Sequence, residues 1–302
     1  MRIGYPCINL SIGCKSGKTF RLRSYSEQRL IETVDNNLDC LLKILRFNYE
    51  HNILFFRITS DLVPFASHPI CRFDWQSYFK DKFEEIGEFI KRANMRVTMH
   101  PDQFTLINSI DEDIFYRSVQ ELAYHAQVLD LMKLDTTAKI QIHVGGVYGD
   151  KEKSMKRFVE RFFQLDDFIA RRLVIENDDK LYSLQDCLKI SRETGLPVVL
   201  DIFHHRLKNS GENITQAFRE FSKTWSIDRD GVPIVDYSIQ KRKGSPRQHA
   251  ESINMKAFKL FLEETKPYDF DIMLEIKDKE RSALKAIKIA STDPRFLKVS
   301  RI

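Results

Sequence analysis

Short apolar runs recur along the chain, and five of them end in or just before a histidine or a carboxylate. They are RVTMH at His100, KIQIH at His143, RLVIEN with Glu176, PVVLDIFHH with Asp201, His204 and His205, and DIMLEI with Glu275. A near-continuous Val/Ile/Leu run reads as a strand buried on both faces of a parallel sheet. Eight such strands are predicted, over residues 2–10, 53–59, 96–100, 139–144, 172–178, 197–203, 233–237 and 271–276. Between them lie segments of helical period. Leu30, Val34, Leu38, Leu41, Leu42 and Leu45 recur at threes and fours, as do Phe79, Phe83, Ile86 and Ile90. Residues 115–134, 155–169, 184–190, 214–225 and 253–262 continue the pattern, and Gly195-Leu196-Pro197 marks a helix stop before a strand start.

Alternation of strand and helix over the chain predicts an α/β protein, a single (β/α)8 TIM barrel over residues 1–302. An open doubly wound sheet is the competitor, but Gly13 and Gly17 do not form the G-x-G-x-x-G turn such sheets commonly use. Barrel enzymes keep their chemistry at the C-terminal strand ends. Asn9 ends the first run, and Ser60, Asp61 and then His68 follow the second. His100, His143, Glu176, Asp201 with His204, Asp236 and Glu275 continue in order.

Each residue alone has a bland account. A histidine before proline, like His100, is usually a cap or a packing residue. Glu176 can pair with a basic side chain, and Glu275 with Lys277. The functional account explains all of them at one rim. Unpaired charges at the mouth of a core are costly, and a metal cation removes the cost. Imidazoles with carboxylates and no thiolates suit Mn²⁺, Zn²⁺ or Fe²⁺, with Mg²⁺ a further option. More than four ligands imply two or three divalent ions, with Glu176 as the bridge and Glu176, Asp201 and Glu275 as the catalytic carboxylates. Two ions about 3.5–4 Å apart are the usual apparatus for phosphodiester hydrolysis.

Composition narrows the setting. With 42% hydrophobic and 30% charged residues the chain carries a sizeable core. No apolar run reaches the ~20 residues of a membrane helix, so no membrane partner is expected. The N-terminal MRIGYPCINLSIGC reads as a first strand, not a signal peptide. Five cysteines, an odd number without a C-x-x-C pair, argue for a reducing cytoplasm and against a disulfide framework or a thiolate zinc ribbon. The net charge of +5 is modest, but its placement matters. Lys15, Lys18, Arg21 and Arg23 follow the first strand, and Lys241, Arg242, Lys243 and Arg247 follow the seventh. Solubilising loops would look similar, yet two basic loops on a metal face favour a nucleic-acid backbone, with Lys15, Lys18, Lys241, Arg242, Lys243 and Arg247 as its contacts.

At this point the chain resembles the UV damage endonucleases of bacteria, fungi and archaea. The resemblance runs through G-Y-P-x-x-N (Gly4 to Asn9), R-I-T-S-D-L-V-P-F-A-S-H (Arg57 to His68), M-H-P-D-Q-F (Met99 to Phe104) and H-V-G-G-x-Y-G-D-K (His143 to Lys151). It continues in I-E-N-D-D (Ile175 to Asp179) and D-x-x-H-H (Asp201 to His205). It implies a xylose-isomerase-like barrel related to endonuclease IV, which nicks DNA immediately 5′ to cyclobutane dimers and 6-4 photoproducts, with manganese the usual cofactor. It places His68, His100, His143, Glu176, Asp201, His204, His249 and Glu275 at metal positions. It gives Gln103 and Phe104 the probing of the duplex at the lesion, and Tyr5 and Asn9 the lesion's other side. One motif departs. The family has Lys-x-His-Tyr-Ser near the seventh strand, with a modified lysine, where this chain has Ile234-Val235-Asp236-Tyr237-Ser238. Asp236 is therefore expected to keep a ligand or water-bridged role at one metal beside His204, with no modified lysine and a third site only partly occupied.

The expectation is a metal-dependent DNA repair endonuclease, a monomer that acts on damaged double-stranded DNA in the cytoplasm, at the nucleoid. A sugar isomerase or epimerase on the same barrel is the alternative, and a non-catalytic DNA-binding protein a third. The basic loops and the Gln103-Phe104 pair favour the first, because a sugar pocket needs neither a polyanion track nor a wedge.

Overall fold

The computed structural model describes residues 1–241 and 247–298. In chain order its elements are β1 (Ile3–Pro6), α1 (Glu27–Glu50), β2 (Phe55–Ile58), α2 (Trp75–Tyr78), α3 (Lys80–Arg92), β3 (Arg96–Met99), α4 (Glu112–Leu131) and β4 (Lys139–His143). Then come α5 (Lys151–Phe162), α6 (Asp167–Ala170), β5 (Leu173–Glu176), α7 (Leu184–Thr194), β6 (Val198–Asp201), α8 (Ile202–Leu207) and α9 (Ile214–Phe221). The last are α10 (Ile227–Asp230), β7 (Ile234–Tyr237), α11 (Met255–Glu264), β8 (Asp271–Leu274) and α12 (Glu280–Ala290). The eight strands close into a parallel barrel in sequence order, β8 pairing with β1. The predicted TIM barrel is the observed fold.

Local chemistry explains the element ends. Ser26 caps α1 by accepting from the Arg29 N–H, and Leu30, Val34, Leu38, Leu41 and Leu45 bury one stripe against the sheet. Ser183 and Asp186 form a capping box at α7, which ends where Gly195 turns left-handed at φ 74°. All eight strands lie inside the eight predicted runs but are shorter. Residues 2–10 reduce to Ile3–Pro6 because Cys7 adopts φ 67° and swings the chain out of the sheet. The run 197–203 stops at Asp201, whose Oδ1 accepts from the His204 N–H at 2.7 Å and so starts α8.

Alternation sorts each strand between two layers. On β7, Asp236 faces the barrel interior, where it meets Arg57, while Tyr237 packs outward on Phe258 and Phe261 of α11. The N-terminal strand ends hold an ionic layer. Arg96 pairs with Asp271 at 3.0 Å, and Lys139 with Asp230 at 2.6 Å. The histidine and carboxylate groups gather at the opposite, C-terminal rim.

The expectation drawn from the cysteines is corrected for one pair. Cys14 and Cys40 form a disulfide, while Cys7, Cys71 and Cys187 are free. The loop after β1 folds back on α1, where the Lys18 N–H donates to Asn37 Oδ1 at 2.9 Å and Asn37 Nδ2 donates to the Lys18 carbonyl at 3.0 Å. That long-range folding brings together two cysteines whose spacing carries no signal. Among the described residues no helix is long and apolar enough to cross a membrane.

Candidate metal centre

Parallel register sets the ligands side by side at the strand ends. His143 on β4 lies opposite Glu176 on β5, and Asp201 on β6 lies opposite Asp236 on β7. His100 follows β3 directly, and Glu275 follows β8. Three groups result, His100–His143–Glu176, Glu176–Asp201–His204 and Asp201–Asp236–Glu275, each with ligand atoms within 4.8 Å of one another. Glu176 belongs to two groups and Asp201 to two, so the three are contiguous. Glu176 Oε2 lies 3.5 Å from His100 Nε2, and its Oε1 lies 3.4 Å from His143 Nδ1 and 3.8 Å from His204 Nδ1.

Neighbouring groups hold these side chains in place. His100 Nδ1 sits 2.8 Å from the Pro101 carbonyl, which takes its N–H and turns the Nε2 lone pair toward Glu176. Asn177 clamps β6 by donating from Nδ2 to the Asp201 carbonyl while its Oδ1 accepts from the Asp201 N–H, both at 3.0 Å. The carboxylate is thus fixed from behind.

Electrostatics show an excess of negative charge. Burial pushes the Asp201 carboxyl well above its usual range; His204 works against this, and the charges of Glu275, Glu176 and Asp236 add to it. Burial likewise raises Asp236 to about 7 despite the Arg57 guanidinium beside it. Burial opposes a charged His204, but Asp201, Glu176 and Glu275 overcome this and raise it to about 9. Glu176, though buried, is held below the ordinary carboxylate range by His143, His100 and His204. Asp201 Oδ2 and His143 Nδ1, in the two groups that contain histidine, are buried with no hydrogen-bond partner. Orphaned hard donors beside carboxylates that must take up protons are what a divalent cation would satisfy, so the residues fit metal ions.

Two residues of this centre escape the strand-end pattern. Arg57, 3% exposed on β2, donates from Nη1 to Glu275 Oε1 at 2.5 Å and from Nη2 to Asp236 Oδ2 at 2.7 Å and Gln141 Oε1 at 3.0 Å. Gln141 on β4 donates from Nε2 to Asp236 Oδ2 at 2.6 Å and to Glu176 Oε2. A signal was available in FFRI and KIQIH, because an Arg or Gln inside an otherwise buried strand must have a buried partner.

The remaining expected residues are scattered around the rim. His68 is exposed and outside the three groups; its Nδ1 accepts from the Ile70 N–H at 3.1 Å, which ties it to its own loop. His249 adjoins the centre, its Nδ1 3.0 Å from the Glu275 carbonyl and its ring 6.1 Å from that of His204, but it too lies outside the groups. Gln103 is exposed and Phe104 is 73% exposed on the loop after β3. Phe104 borders a cleft of about 510 Å³ that also takes in Ser60, Asp61 and His68.

Tyr5 and Asn9, expected to line the lesion from the other side, are buried in this structure. Tyr5 is fully buried and donates its hydroxyl to Asn48 Oδ1 at 2.7 Å, while Asn9, 2% exposed, donates to that hydroxyl at 2.8 Å. Packing of the first strand against α1 consumes both polar ends. Lys15 and Lys18 are exposed. Lys241 pairs with Glu251 at 2.7 Å and Arg247 with Asp179 at 2.9 Å, so neither charge is unopposed. Arg242 and Lys243 lie outside the described residues.

Comparison with known proteins agrees with this architecture. The chain is 41% identical over 291 residues to a UV DNA damage endonuclease of Clostridium perfringens, covering 95% of this chain and 70% of that protein. It is 35% identical over 302 residues to the enzyme of the same name from Bacillus thuringiensis, covering 97% and 95%. The crystal structure of SacUVDE superposes with a TM-score of 0.92 at 45% identity, covering 96% of this chain and 98% of that one. D-psicose 3-epimerase of Clostridium cellulolyticum shares the fold alone, with a TM-score of 0.55 at 13% identity over 85% of this chain and 93% of that one. A family model described as UV-endonuclease UvdE matches residues 1–300, and with these relatives it shows that the chain belongs to the UvdE family of UV endonucleases.

Proposed function

We propose that this protein is a metal-dependent endonuclease that hydrolyses the phosphodiester immediately 5′ to UV photoproducts, leaving 3′-hydroxyl and 5′-phosphate ends. The observation that carries the reading is the contiguous run of histidines and carboxylates at one barrel rim. His100, His143 and Glu176 would hold one divalent ion, and Glu176, Asp201 and His204 another, manganese being the first candidate and zinc or magnesium the next. Such ions, when bound, acidify water and neutralise charge on phosphate oxygens. Glu176 would serve both ions, Asp201 is anchored through Asn177, and Glu275 reaches the same space from β8. In this reading these three are the catalytic carboxylates.

Substrate selection falls to the rim. A photoproduct has already weakened stacking, so extruding it costs less than opening an intact step. Phe104 is a large exposed ring positioned to fill a vacated stack, and Gln103 beside it offers an amide to orphaned bases. Lys15 and Lys18, exposed and with no ion pair among the described residues, offer cations to the phosphate backbone, and the substrate is damaged double-stranded DNA bound by a monomer at the nucleoid. The epimerase alternative retains only the fold in its support.

The test is nicking of irradiated against unirradiated plasmid in the presence of Mn²⁺. Glu176→Ala is expected to abolish nicking while much of the DNA binding remains. Near-normal turnover by that variant, or nicks that a polymerase extends only after phosphatase treatment, would refute the mechanism.

A further inference from the structure

Arg57 is a cation built into the centre. Its guanidinium takes Glu275 Oε1 and Asp236 Oδ2, both members of the group Asp201–Asp236–Glu275. Gln141 locks the arrangement by accepting from Arg57 Nη2 and donating to the same Asp236 oxygen and to Glu176. Among the described residues no arginine or lysine is shown hydrogen-bonded to Glu176, Asp201 or the histidines of the other two groups.

We propose that Arg57 takes the place of an ion at Asp201–Asp236–Glu275, so that this protein holds two divalent ions, on His100–His143–Glu176 and on Glu176–Asp201–His204. The inference rests on the metal-dependent reading above. Charge balance supports it. Glu176, Asp201, Asp236 and Glu275 supply four negative charges and Arg57 one positive, a fixed charge of about −3 with neutral imidazoles. Two divalent ions bring the centre to about +1, which one substrate phosphodiester neutralises. A third would leave about +2 even with that phosphate in place, next to a guanidinium that cannot deprotonate. Asp236 is then a partner of Arg57 and not a ligand, and the anionic group missing at Ile234 is not missed, because no third ion has to be held.

The experiment counts ions. Stripped protein is dialysed to equilibrium against Mn²⁺ and metal per chain is measured by mass spectrometry, with circular dichroism confirming the fold. Wild type is expected to hold two, Arg57→Lys two, and Arg57→Met three, because loss of the guanidinium frees both carboxylates. Should Arg57→Met fail to fold, Asp236→Asn decides: two ions support the proposal, and fewer than two overturn it. Three ions on the wild type, or two on a folded Arg57→Met, also overturn it. Absence of bound ions on the folded wild type would instead remove the metal-dependent reading itself, and the proposal with it.

Discussion

Removing the ions should make stability depend on pH in a way that loaded protein does not show. In metal-free protein His204 sits among Asp201, Glu176 and Glu275, which raise it to about 9 from an ordinary value of 6.5. The sign follows from linkage. A histidine raised in the folded state contributes stability that is fully present below 6.5 and is lost as pH rises toward 9. Each pKa unit corresponds to about 1.36 kcal/mol, and because about 1 kcal/mol of the effect is still present half a unit below the folded pKa, the stripped protein loses about 2 kcal/mol from this group between pH 6.5 and 8.5. A bound ion keeps the imidazole neutral throughout and cancels that loss. Buried histidines outside the ion groups, such as His125, titrate alike in both forms and drop out of the comparison. The observable is the gap in melting temperature between Mn²⁺-loaded and EDTA-stripped protein. It is expected to widen by roughly 3–5 °C from pH 6.5 to 8.5, and to widen less in His204→Gln, where buried carboxyls such as Asp236 still titrate in the stripped protein. A wild-type gap that is constant across that range would refute the assignment of His204 to an ion.

Three further outcomes are expected. Replacing Gln103 and Phe104 together by Ala should lower the ratio of affinities for irradiated and intact duplex by roughly 5- to 100-fold at fixed salt, given the ~1–3 kcal/mol typical of one base–aromatic stack, as read by fluorescence anisotropy. Gly87→Ala should cost about 2–3 kcal/mol in a chemical denaturation series, because a Cβ there would stand 1.8 Å from the Met132 carbonyl oxygen, which is backbone and cannot step aside. Cys14→Ser with Cys40→Ser should lose about 3 kcal/mol against the oxidised parent, since the bond closes a loop with a sequence separation of 26; an identical melting temperature would show that the disulfide constrains nothing.

Much of the barrel was legible because its strands are buried on both faces and therefore written as unbroken apolar runs. Each run from β3 to β8 places its ligand-type residue where chemistry is expected, and the structure brings His100, His143, Glu176, Asp201, His204, Asp236 and Glu275 together. Interactions across the barrel were harder to see. Nothing in FFRI says which carboxylates Arg57 will meet, since Glu275 is 218 residues away. The exposed position of His68 and the buried ones of Tyr5 and Asn9 depend on how loops pack, which periodicity does not encode. The Cys14–Cys40 pair is hidden for the same reason. α12 passes unread because the apolar residues it buries fully are the small Ala283, Ala286 and Ala290, while Leu284, Ile287 and Ile289 pack only partly buried.

Sequential closure of the barrel also bears on the timing of synthesis. The centre draws on strands from β2, through Arg57, to the end of β8, at Glu275. A growing chain that has not yet emerged past Glu275 lacks the partner of Arg57 and cannot pair β8 with β1. Truncated products and chains still on the ribosome would therefore lack the assembled centre. A nuclease built this way is born inert, and it gains the power to cut only once the ring that also makes it stable has closed.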